Sequence, residues 1–477
     1  MPSSRTAAGA GSRCGPCSSK APVTSPAAPS EARQRHQRLV EDLQRSLGGN
    51  TERLRVRKRT GSNLFRYDGR AASSARLLDL SRFNQPLCVD VGEATLDVEG
   101  FTTYEDIVDH VLPFGLLPTI TPELKHITVG GAIVGIGIET NSYRYGFVHN
   151  ALLEAEILLA DGTVVVCTTD NEHADLLEGM ANSYGTLGYV LRAKVRLRPA
   201  KPYVVLATEG FTSVAALLEG LHSAVDDQAN DYLEGLAYAR DRLFLTASRE
   251  TEQAGDLTSI YGSTVFYREI SRPGTLSLTT RDYLFRYDPE WFWALPESLP
   301  FRFLRRYGPD RLRHSGFYTS YRSWRSAIME KLHPARAADG ATEVLIQDWE
   351  VPWREGGALL EFVLDAVDLQ GKPLMVAPLR VPAPVPCYPM APGELYLNVG
   401  SYNYVRRKTD QPRYQSTQMI DDFCYRHGGI KMLYSSTFLS EEEFGRRYGG
   451  ERYAALKAKY DPGNLLPTLF EKAVAGA

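Results

Sequence analysis

Hydrophobic and polar positions alternate with a period of two along many short stretches of this chain, a spacing that predicts β-strands. Before residue 200 the predicted strands are 53–57, 88–91, 95–98, 151–159, 164–168 and 189–197. Asp161-Gly162 lies between two of these strands and predicts a hairpin turn. Helical spacing predicts helices at 30–47, 104–114 and 171–180. Short strands mixed with few helices are typical of an α+β domain.

The pattern changes after residue 200. Strands are predicted at 203–206, 343–348, 374–379, 395–399 and 430–434, helices at 213–225, 356–367 and 416–426, and a hairpin at 239–242. A chain of 477 residues is too long for one hydrophobic core, so two domains are expected. We predict a disordered low-complexity tail at 1–30, a first domain at 31–200, a second at 201–455, and a C-terminal segment at 456–477.

A glycine-rich segment at 127–140 carries the most information about function. Gly130, Gly131, Gly135 and Gly137 fall within eight positions. Each glycine inside a helix costs roughly 0.5–1 kcal/mol relative to alanine, so we predict a loop whose backbone amides approach a ligand such as a pyrophosphate. The spacing does not match a Rossmann loop, because Thr140 stands where the third glycine belongs and 141–146 is predicted as loop rather than helix.

Several short motifs surround this segment in a definite order. They are Pro122-Glu123-Leu124, Thr128-Val129-Gly130-Gly131, Gly137-Ile138-Glu139, Tyr145-Gly146 and Gly185-Thr186-Leu187-Gly188. Together they resemble the vanillyl-alcohol oxidase superfamily, whose members carry a PCMH-type FAD-binding domain. Within it, the resemblance is to the Δ24-sterol reductase (diminuto) type and to bacterial flavoproteins that reduce methylene-branched fatty acyl chains. It implies a two-subdomain FAD-binding domain, an α/β cap domain that binds substrate, and a C-terminal segment returning to the FAD domain.

The resemblance also implies which residues bind FAD. They are Arg59, Gly61, Ser62, Asn63, Thr128, Val129, Gly130, Gly131, Ala132, Ile133, Val134, Gly135, Ile136, Gly137, Ile138, Glu139, Thr140, Ser142, Gly146, Gly185, Thr186, Gly188 and Asn464. Some members of the superfamily bind the flavin covalently through a histidine in the first of these loops. No histidine or cysteine occurs from Arg55 to Arg66, so we predict non-covalent FAD.

Reduction of a C=C bond requires a hydride on one carbon and a proton on the other. Flavin would supply the hydride, and the protein must supply the proton. The candidates are Tyr434, with Lys431 beside it lowering its pKa, and then Tyr184, Glu139 and His126. For each of them, a buried hydrogen-bonded side chain without a catalytic role is the alternative.

The leading functional hypothesis is an FAD-dependent reductase of a C=C bond in a lipid. The substrate would be a methylene- or methyl-branched fatty acyl chain of a phospholipid, or a sterol side chain, and the resemblance implies NADPH as electron donor. One alternative is an FAD-dependent alcohol or sugar oxidase or dehydrogenase. Another is a lipid-binding protein without flavin. The oligomeric state stays open.

Charge and hydropathy limit the classes of binding partner that we expect. A net charge of −3 provides no positive electrostatic field that would attract nucleic acid. The sequence has no run of about 18 apolar residues, so we expect no transmembrane helix. No secretory signal is visible and the histidines are dispersed, so we expect a cytoplasmic protein without a metal site. Aromatic and arginine residues alternate densely at 281–307. We interpret them either as a peripheral membrane contact or as a structural or acyl-tunnel segment.

Overall fold

The computed structural model describes residues 31–60, 75–227, 229–262, 265–290, 292–293, 299–309, 312–317, 342–406, 412 and 414–474. The predicted tail at 1–30 and the predicted FAD contacts Gly61, Ser62 and Asn63 lie outside this range. Within it, none of the helices is long and apolar enough to cross a membrane.

The first domain is built on a six-stranded antiparallel sheet. Its strands run in the order β3-β4-β8-β6-β7, and β5 pairs with the far end of β8. A separate parallel pair, β1 and β2, lies beside it. The bounds are β1 Leu54–Arg57, β2 Arg76–Asp79, β3 Pro86–Asp90, β4 Thr95–Glu99, β5 Leu116–Pro118, β6 Leu152–Leu158, β7 Val164–Thr168 and β8 Tyr189–Pro199.

Five helices accompany these strands: α1 Glu31–Leu47, α2 Tyr104–Val111, α3 Val129–Val134, α4 Ser142–Tyr145 and α5 Ala174–Gly179. The predicted start of α2 is confirmed, because the Thr103 side chain accepts a hydrogen bond from the backbone amide of Asp106. Its predicted end is also confirmed. After a 3₁₀ turn at Leu112–Phe114, Gly115 adopts φ +69°, a conformation that glycine tolerates best.

Two local predictions are wrong. The glycine-rich segment forms the short helix α3 rather than a loop, and the predicted loop at 141–146 contains α4. Helix α3 is buried against β8 and the turn before it, and this tertiary packing outweighs the low helix propensity of Gly130 and Gly131. The helix then ends at Gly135, and Ile136 has φ +47°.

The second sheet has eight strands, all antiparallel, in the order β12-β9-β11-β10-β14-β15-β13-β16. The bounds are β9 Tyr203–Phe211, β10 Tyr232–Ala239, β11 Arg242–Thr251, β12 Gly274–Thr279, β13 Thr342–Pro352, β14 Leu374–Arg380, β15 Leu395–Arg406 and β16 Ile430–Lys431. The helices of this half and of the C-terminus are α6 Val214–Asp227, α7 Phe266–Glu269, α8 Thr280–Leu284, α9 Leu299–Tyr307, α10 Trp353–Ala366, α11 Gln415–Arg426, α12 Glu441–Arg447, α13 Gly450–Tyr460 and α14 Leu469–Ala473.

The two faces of the second sheet belong to different cores. On one face, Leu345 and its neighbours pack against α6, α10 and α11. The next residue of β13, Ile346, points the other way and joins the core that is continuous with the first domain. Side chains on successive residues of a strand alternate in this way, so β13 presents Ile346 and Asp348 to the space between the domains. The predicted α+β class is confirmed, whereas the role of the second sheet as a substrate cap stays a prediction.

The C-terminal segment packs against the first domain. Tyr460 donates a hydrogen bond to Asp175 of α5 at 2.6 Å, and the amide of Leu54 in β1 donates to the carbonyl of Leu465 at 2.9 Å. Lys457 donates to the carbonyl of Thr186 at 2.8 Å, beside the second glycine turn. These contacts couple the end of the chain to the floor of the site described next.

Candidate functional site

A cavity of about 580 Å³ lies between the two domains. Its walls come from four parts of the chain that are distant in sequence. These are the end of β1 and the residues after it, the segment from Pro122 to Glu139, the turn from Tyr184 to Val190, and the inner face of the second sheet with Ile346, Asp348, Tyr402, Met432 and Tyr434. The second and third parts carry most of the motifs on which the family resemblance depends.

Glycine is required in α3 because the helix lies directly on a neighbouring backbone. A Cβ on Gly130 would stand 2.7 Å from the carbonyl oxygen of Gly100, and the Gly130 amide donates to that oxygen at 2.8 Å. The amide of Val129 donates to Thr102 in the same way. The amides of Val129 and Gly130 therefore hold the helix in place, while Gly131, Ala132 and Val134 line the cavity.

Many of the predicted FAD-binding residues do line the cavity: Thr128, Gly130, Gly131, Ala132, Val134, Gly135, Gly137, Ile138, Glu139, Gly185 and Gly188. Others support this wall from behind, away from the cavity: Val129, Ile133, Ile136, Thr140, Ser142, Gly146 and Thr186. The Ser142 hydroxyl accepts from the amide of Glu139, and the Thr186 hydroxyl donates to the carbonyl of Ser183. Both fix loop geometry rather than contact a ligand.

Two predicted FAD contacts lie on the surface. Arg59 pairs with Asp106 at 3.0 Å outside the cavity, and Asn464 occupies an exposed turn with φ +48°. The neighbour of Arg59, Lys58, lines the cavity instead. Burial lowers the pKa of Lys58 to about 8. The sequence singled out a basic loop, but only the alternation of side chains after β1 decides which basic residue faces inward.

The second glycine turn lines the cavity through Tyr184, Gly185 and Gly188. Tyr184 and Gly185 have φ +50° and +75°, so the chain reverses sharply here. Lys472 from α14 donates to the carbonyl of Tyr184 and also lines the cavity. Tyr184 is therefore part of the wall that the C-terminal segment braces.

A cluster of buried carboxyl groups borders the cavity. Arg286 pairs with Glu123 at 2.5 Å and with Glu234 at 2.9 Å, and all three side chains are less than 5% exposed. Glu139 accepts a hydrogen bond from the amide of Glu123 at 3.0 Å. Burial raises the pKa of Glu139 well above its usual range, and the neighbouring Glu123 raises it further. Glu139 is thus held as a neutral acid at the cavity wall.

Opposite this cluster, Asp348 receives two tyrosine hydroxyl groups. Tyr434 donates to Asp348 Oδ2 at 2.9 Å, and Tyr402 lies 3.3 Å from the same oxygen. The Tyr402 ring stacks on Phe292 with a centroid distance of 4.0 Å. All four side chains line the cavity.

The predicted pairing of Lys431 with Tyr434 is wrong. Lys431 is fully buried and donates to Gln347, Asp421 and the carbonyl of Ser436 at 2.6–2.9 Å. Burial and the nearby Asp348 raise the pKa of Tyr434 well above its usual range, rather than lowering it. Lys431 is the last residue of the short strand β16, and Tyr434 follows three residues later. Their side chains lie in different layers and have different partners.

His126 is a cavity residue whose proton position follows from its neighbours. Its Nδ1 lies 2.7 Å from the Ser315 hydroxyl, which itself donates to Asp288. Both oxygens of Asp288 also accept backbone amides, from Lys125 and Ser315. Ser315 must then accept from His126 Nδ1–H, which leaves Nε2 as an acceptor. Burial lowers the pKa of His126 to about 3, so the neutral ring is suited to accept a ligand's hydroxyl or N–H and not to donate a proton.

The residues present fit a bound flavin nucleotide. The glycine wall admits a flat ligand close to the backbone, and Lys58 offers a cation to a phosphate. Within the described part of the chain, the buried atoms Thr60 Oγ1 and His126 Nε2 have no hydrogen-bond partner, although both residues line the cavity. Buried polar atoms are normally satisfied, so both are available to a ligand's polar groups.

Comparison with known proteins agrees with this geometry. The model of a family described as an FAD binding domain matches residues 49–168. The Delta(24)-sterol reductase of Homo sapiens is 26% identical over 475 residues, which cover 93% of this chain and 87% of the relative. That of Pisum sativum is 25% identical over 445 residues, covering 84% and 76%. Cytokinin dehydrogenase 9 of Oryza sativa subsp. japonica is 30% identical over 144 residues, covering 29% of this chain and 27% of the relative.

Residues 49–168 match the FAD binding domain, and the motifs around the cavity agree with this match, so the protein is an FAD-dependent oxidoreductase. The similarity to cytokinin dehydrogenase 9 covers 29% of the chain, whereas the similarity to Delta(24)-sterol reductases extends over nearly all of it. The protein is therefore a flavoprotein similar to the sterol reductases.

Proposed function

We propose that this protein reduces a C=C bond in an apolar lipid chain, with non-covalently bound FAD and with NADPH as electron donor. The observation that carries the proposal is the similarity to Delta(24)-sterol reductases, which extends through the second sheet as well as the FAD-binding domain. The second sheet acts as the substrate cap, and the apolar cavity wall on this side consists of Ile346 of β13, Met432 after β16 and Phe292 after α8.

When bound, reduced FAD supplies the hydride. The side chains of the cap exclude water from the alkene, and Tyr434 stands on the cap side as the residue that passes a proton into the cavity. Gly131, Gly135 and Gly185 hold the flavin side of the cavity, and Lys58 contacts a phosphate oxygen.

Single-turnover kinetics test this function. The flavin is reduced anaerobically with NADPH and then mixed with a Δ24-unsaturated sterol, with a phospholipid bearing a methylene-branched acyl chain, or with oxygen alone. We expect one of the two lipids to reoxidise the flavin and to be recovered saturated, and the matched saturated lipid to have no effect. Fast reoxidation by oxygen with none by either lipid would overturn the proposal in favour of an oxidase.

The main alternative is a dehydrogenase or oxidase of an alcohol or sugar. The similarity to cytokinin dehydrogenase 9 supports it over only 144 residues.

The third hypothesis, a lipid-binding protein without flavin, is tested by the visible absorbance of the purified protein. Acid precipitation then separates free flavin from covalently attached flavin, and we expect all of it in the supernatant.

We propose peripheral membrane contact through α9 alone. The described residues before it, 281–290 and 292–293, are largely buried, including Arg286, Tyr287 and Trp293. On α9, by contrast, Leu299, Phe303 and Tyr307 are 77%, 68% and 64% exposed and recur at helical spacing. The exposed Arg302 and Arg306 on the same helix favour an anionic lipid surface.

Flotation with vesicles tests this contact. We expect the protein to float with vesicles that contain anionic phospholipid, and the double variant F303S/Y307S to lose that binding. Phe114→Ser removes an aromatic that is 52% exposed elsewhere on the surface and is the matched control. Wild-type protein that stays at the bottom of the gradient would overturn the contact.

A further inference from the structure

The hydrogen bond of Tyr434 points away from the substrate space. Its hydroxyl donates to Asp348 Oδ2 at 2.9 Å, and Tyr402 offers its own hydroxyl to both oxygens of Asp348 at 3.3 and 3.4 Å. An ionised Asp348 accepts both tyrosine protons. In that state Tyr434 has no proton to deliver into the cavity.

Asp348 lies in a crowded electrostatic setting. The titratable groups that face it are Tyr402, Tyr434, Glu123, Glu139 and Glu350, with Arg286 on the far side of Glu123. Arg286 is occupied by Glu123 and Glu234. Among the residues that the structure describes, no ion pair reaches Asp348 or Glu139. A low-dielectric site with several carboxyl groups and one cation cannot hold all of them ionised.

Burial raises the pKa of Asp348 to about 6, although the hydrogen bonds from Tyr434, Asn398 and Tyr402 act in the opposite direction. A flavin ring and an apolar chain in the cavity would displace water, which favours the neutral acid further. Tyr434 by itself is a poor acid, because burial and the Asp348 charge raise its pKa.

We propose that Asp348 is the proton source behind Tyr434. When Asp348 is protonated, it donates its hydrogen to the Tyr434 oxygen, and the phenolic hydrogen turns toward the cavity. Asp348 is thus a positioning residue that acts through Tyr434, and Tyr402 sets how readily Asp348 ionises. This inference rests on the proposed reduction of a C=C bond.

The step balances as follows. A hydride from the reduced flavin forms a C–H bond at one alkene carbon, and the alkene π electrons form the second C–H bond with the Tyr434 proton at the other. The O–H bond of Tyr434 breaks, and its oxygen takes the proton of Asp348. The alkene is reduced by two electrons, the flavin is oxidised by two, and Asp348 becomes a carboxylate. Water reprotonates Asp348 after the saturated product leaves.

The test compares Asp348→Asn with Glu343→Gln in the full-length protein with FAD bound. Glu343 lies on the same strand β13, is equally buried, and accepts hydrogen bonds from Ser416 and Thr417 outside the cavity. The readouts are FAD content, the rate at which NADPH reduces the flavin, and the pH profile of flavin reoxidation by the lipid. NADPH reduction needs no proton from Asp348, so it reports on the integrity of the site.

We expect D348N to be reduced normally by NADPH and to lose about 100-fold or more in the reoxidation step, together with its pH dependence. E343Q retains both. Adding Tyr434→Phe to D348N costs little further, because both residues serve one proton path. D348N with wild-type reoxidation and an unchanged pH profile would overturn the inference.

Two further measurements keep the inference testable by independent means. Tyr402→Phe removes a hydrogen bond to the charged form of Asp348, so the pH at which the reoxidation rate falls should move upward. An unchanged pH profile would count against Asp348 as the titrating group.

Infrared difference spectra of the FAD-bound protein follow the protonated carboxyl directly. If no lipid reoxidises the flavin, the proposed function fails, yet the missing carboxyl band in D348N and its presence in E343Q would still support a protonated Asp348.

Discussion

Arg286 Nη2 lies 2.9 Å from Glu234 Oε2, and this ion pair joins the segment after α8 to the centre of the second sheet. Both side chains are at most 2% exposed. The same guanidinium pairs with Glu123, which precedes the glycine wall. One buried cation therefore connects the second sheet, the segment after α8 and the glycine-lined side of the cavity.

Removing this cation should destabilise the protein strongly. Arg286→Met leaves two buried carboxyl groups without a counter-charge, and we expect a loss of about 3–5 kcal/mol in the free energy of unfolding. Urea denaturation measures it. Arg240→Met, which removes an exposed arginine from Glu361 and Asp365, is the matched control and should change little. Equal losses in the two variants would contradict the special role of Arg286.

Lys58, and not Arg59, should contact the FAD phosphates. Lys58→Met should weaken FAD binding about 10- to 100-fold, the value of one charge-assisted hydrogen bond of about 1.5–3 kcal/mol. Arg59→Met removes the surface pair with Asp106 and should leave affinity unchanged. Since the pKa of Lys58 is about 8 without ligand, affinity should fall as the pH rises above that value. Titration of apoprotein with FAD decides between the two residues.

Gly130 should not accept a side chain. Gly130→Ala places a Cβ 2.7 Å from the Gly100 carbonyl oxygen and 3.3 Å from Val190 Cβ, so α3 must move away from the sheet. We expect a loss of about 1–3 kcal/mol in stability and weaker FAD binding. Gly255→Ala, where the added carbon meets no atom within 4 Å, is the control. Unchanged stability and FAD affinity in G130A would show that the wall is more compliant than its contacts indicate.

His36 should make stability depend on pH. Burial alone would lower its pKa, but its bonds to Glu156 and Glu99 outweigh burial and raise it. A histidine whose folded pKa exceeds the unfolded value of about 6.5 stabilises fully below that pH, and the stabilisation disappears as the pH rises through the folded pKa. His36→Gln should therefore lose most stability, relative to wild type, in acidic buffer. His222→Gln on the exposed face of α6 is the control, and a pH-independent deficit in H36Q would contradict the assignment.

Most elements of the fold could be predicted from local pattern. The strands β4, β6, β7 and β8 and the helix α11 lie within a few residues of their predicted positions, because period-two and helical spacing are strong where one face is buried. Helix α3 could not be predicted. Its stability comes from contact with Gly100 and Val190, which are remote in sequence from Gly130.

The candidate site, like the fold, could be predicted from the sequence only in part. Its FAD side could be found from glycine motifs, since close backbone approach requires glycine whatever the rest of the chain does. The acidic side could not. Asp348, Glu123 and Glu139 are carboxyl groups without a distinctive local pattern, and burial in the folded chain is the main cause that raises their pKa values.

The sequence by itself determined the α+β class, the FAD-binding domain and the similarity to sterol reductases, because these depend on periodicity and on local motifs. The tertiary structure alone decided which side chains face the cavity, that Lys58 lies inside and Arg59 outside, and that Tyr434 meets Asp348 rather than Lys431. The local sequence pattern indicates which positions must be occupied by apolar or small residues. Proton positions and charge states depend on burial and on neighbours that only the folded chain brings together.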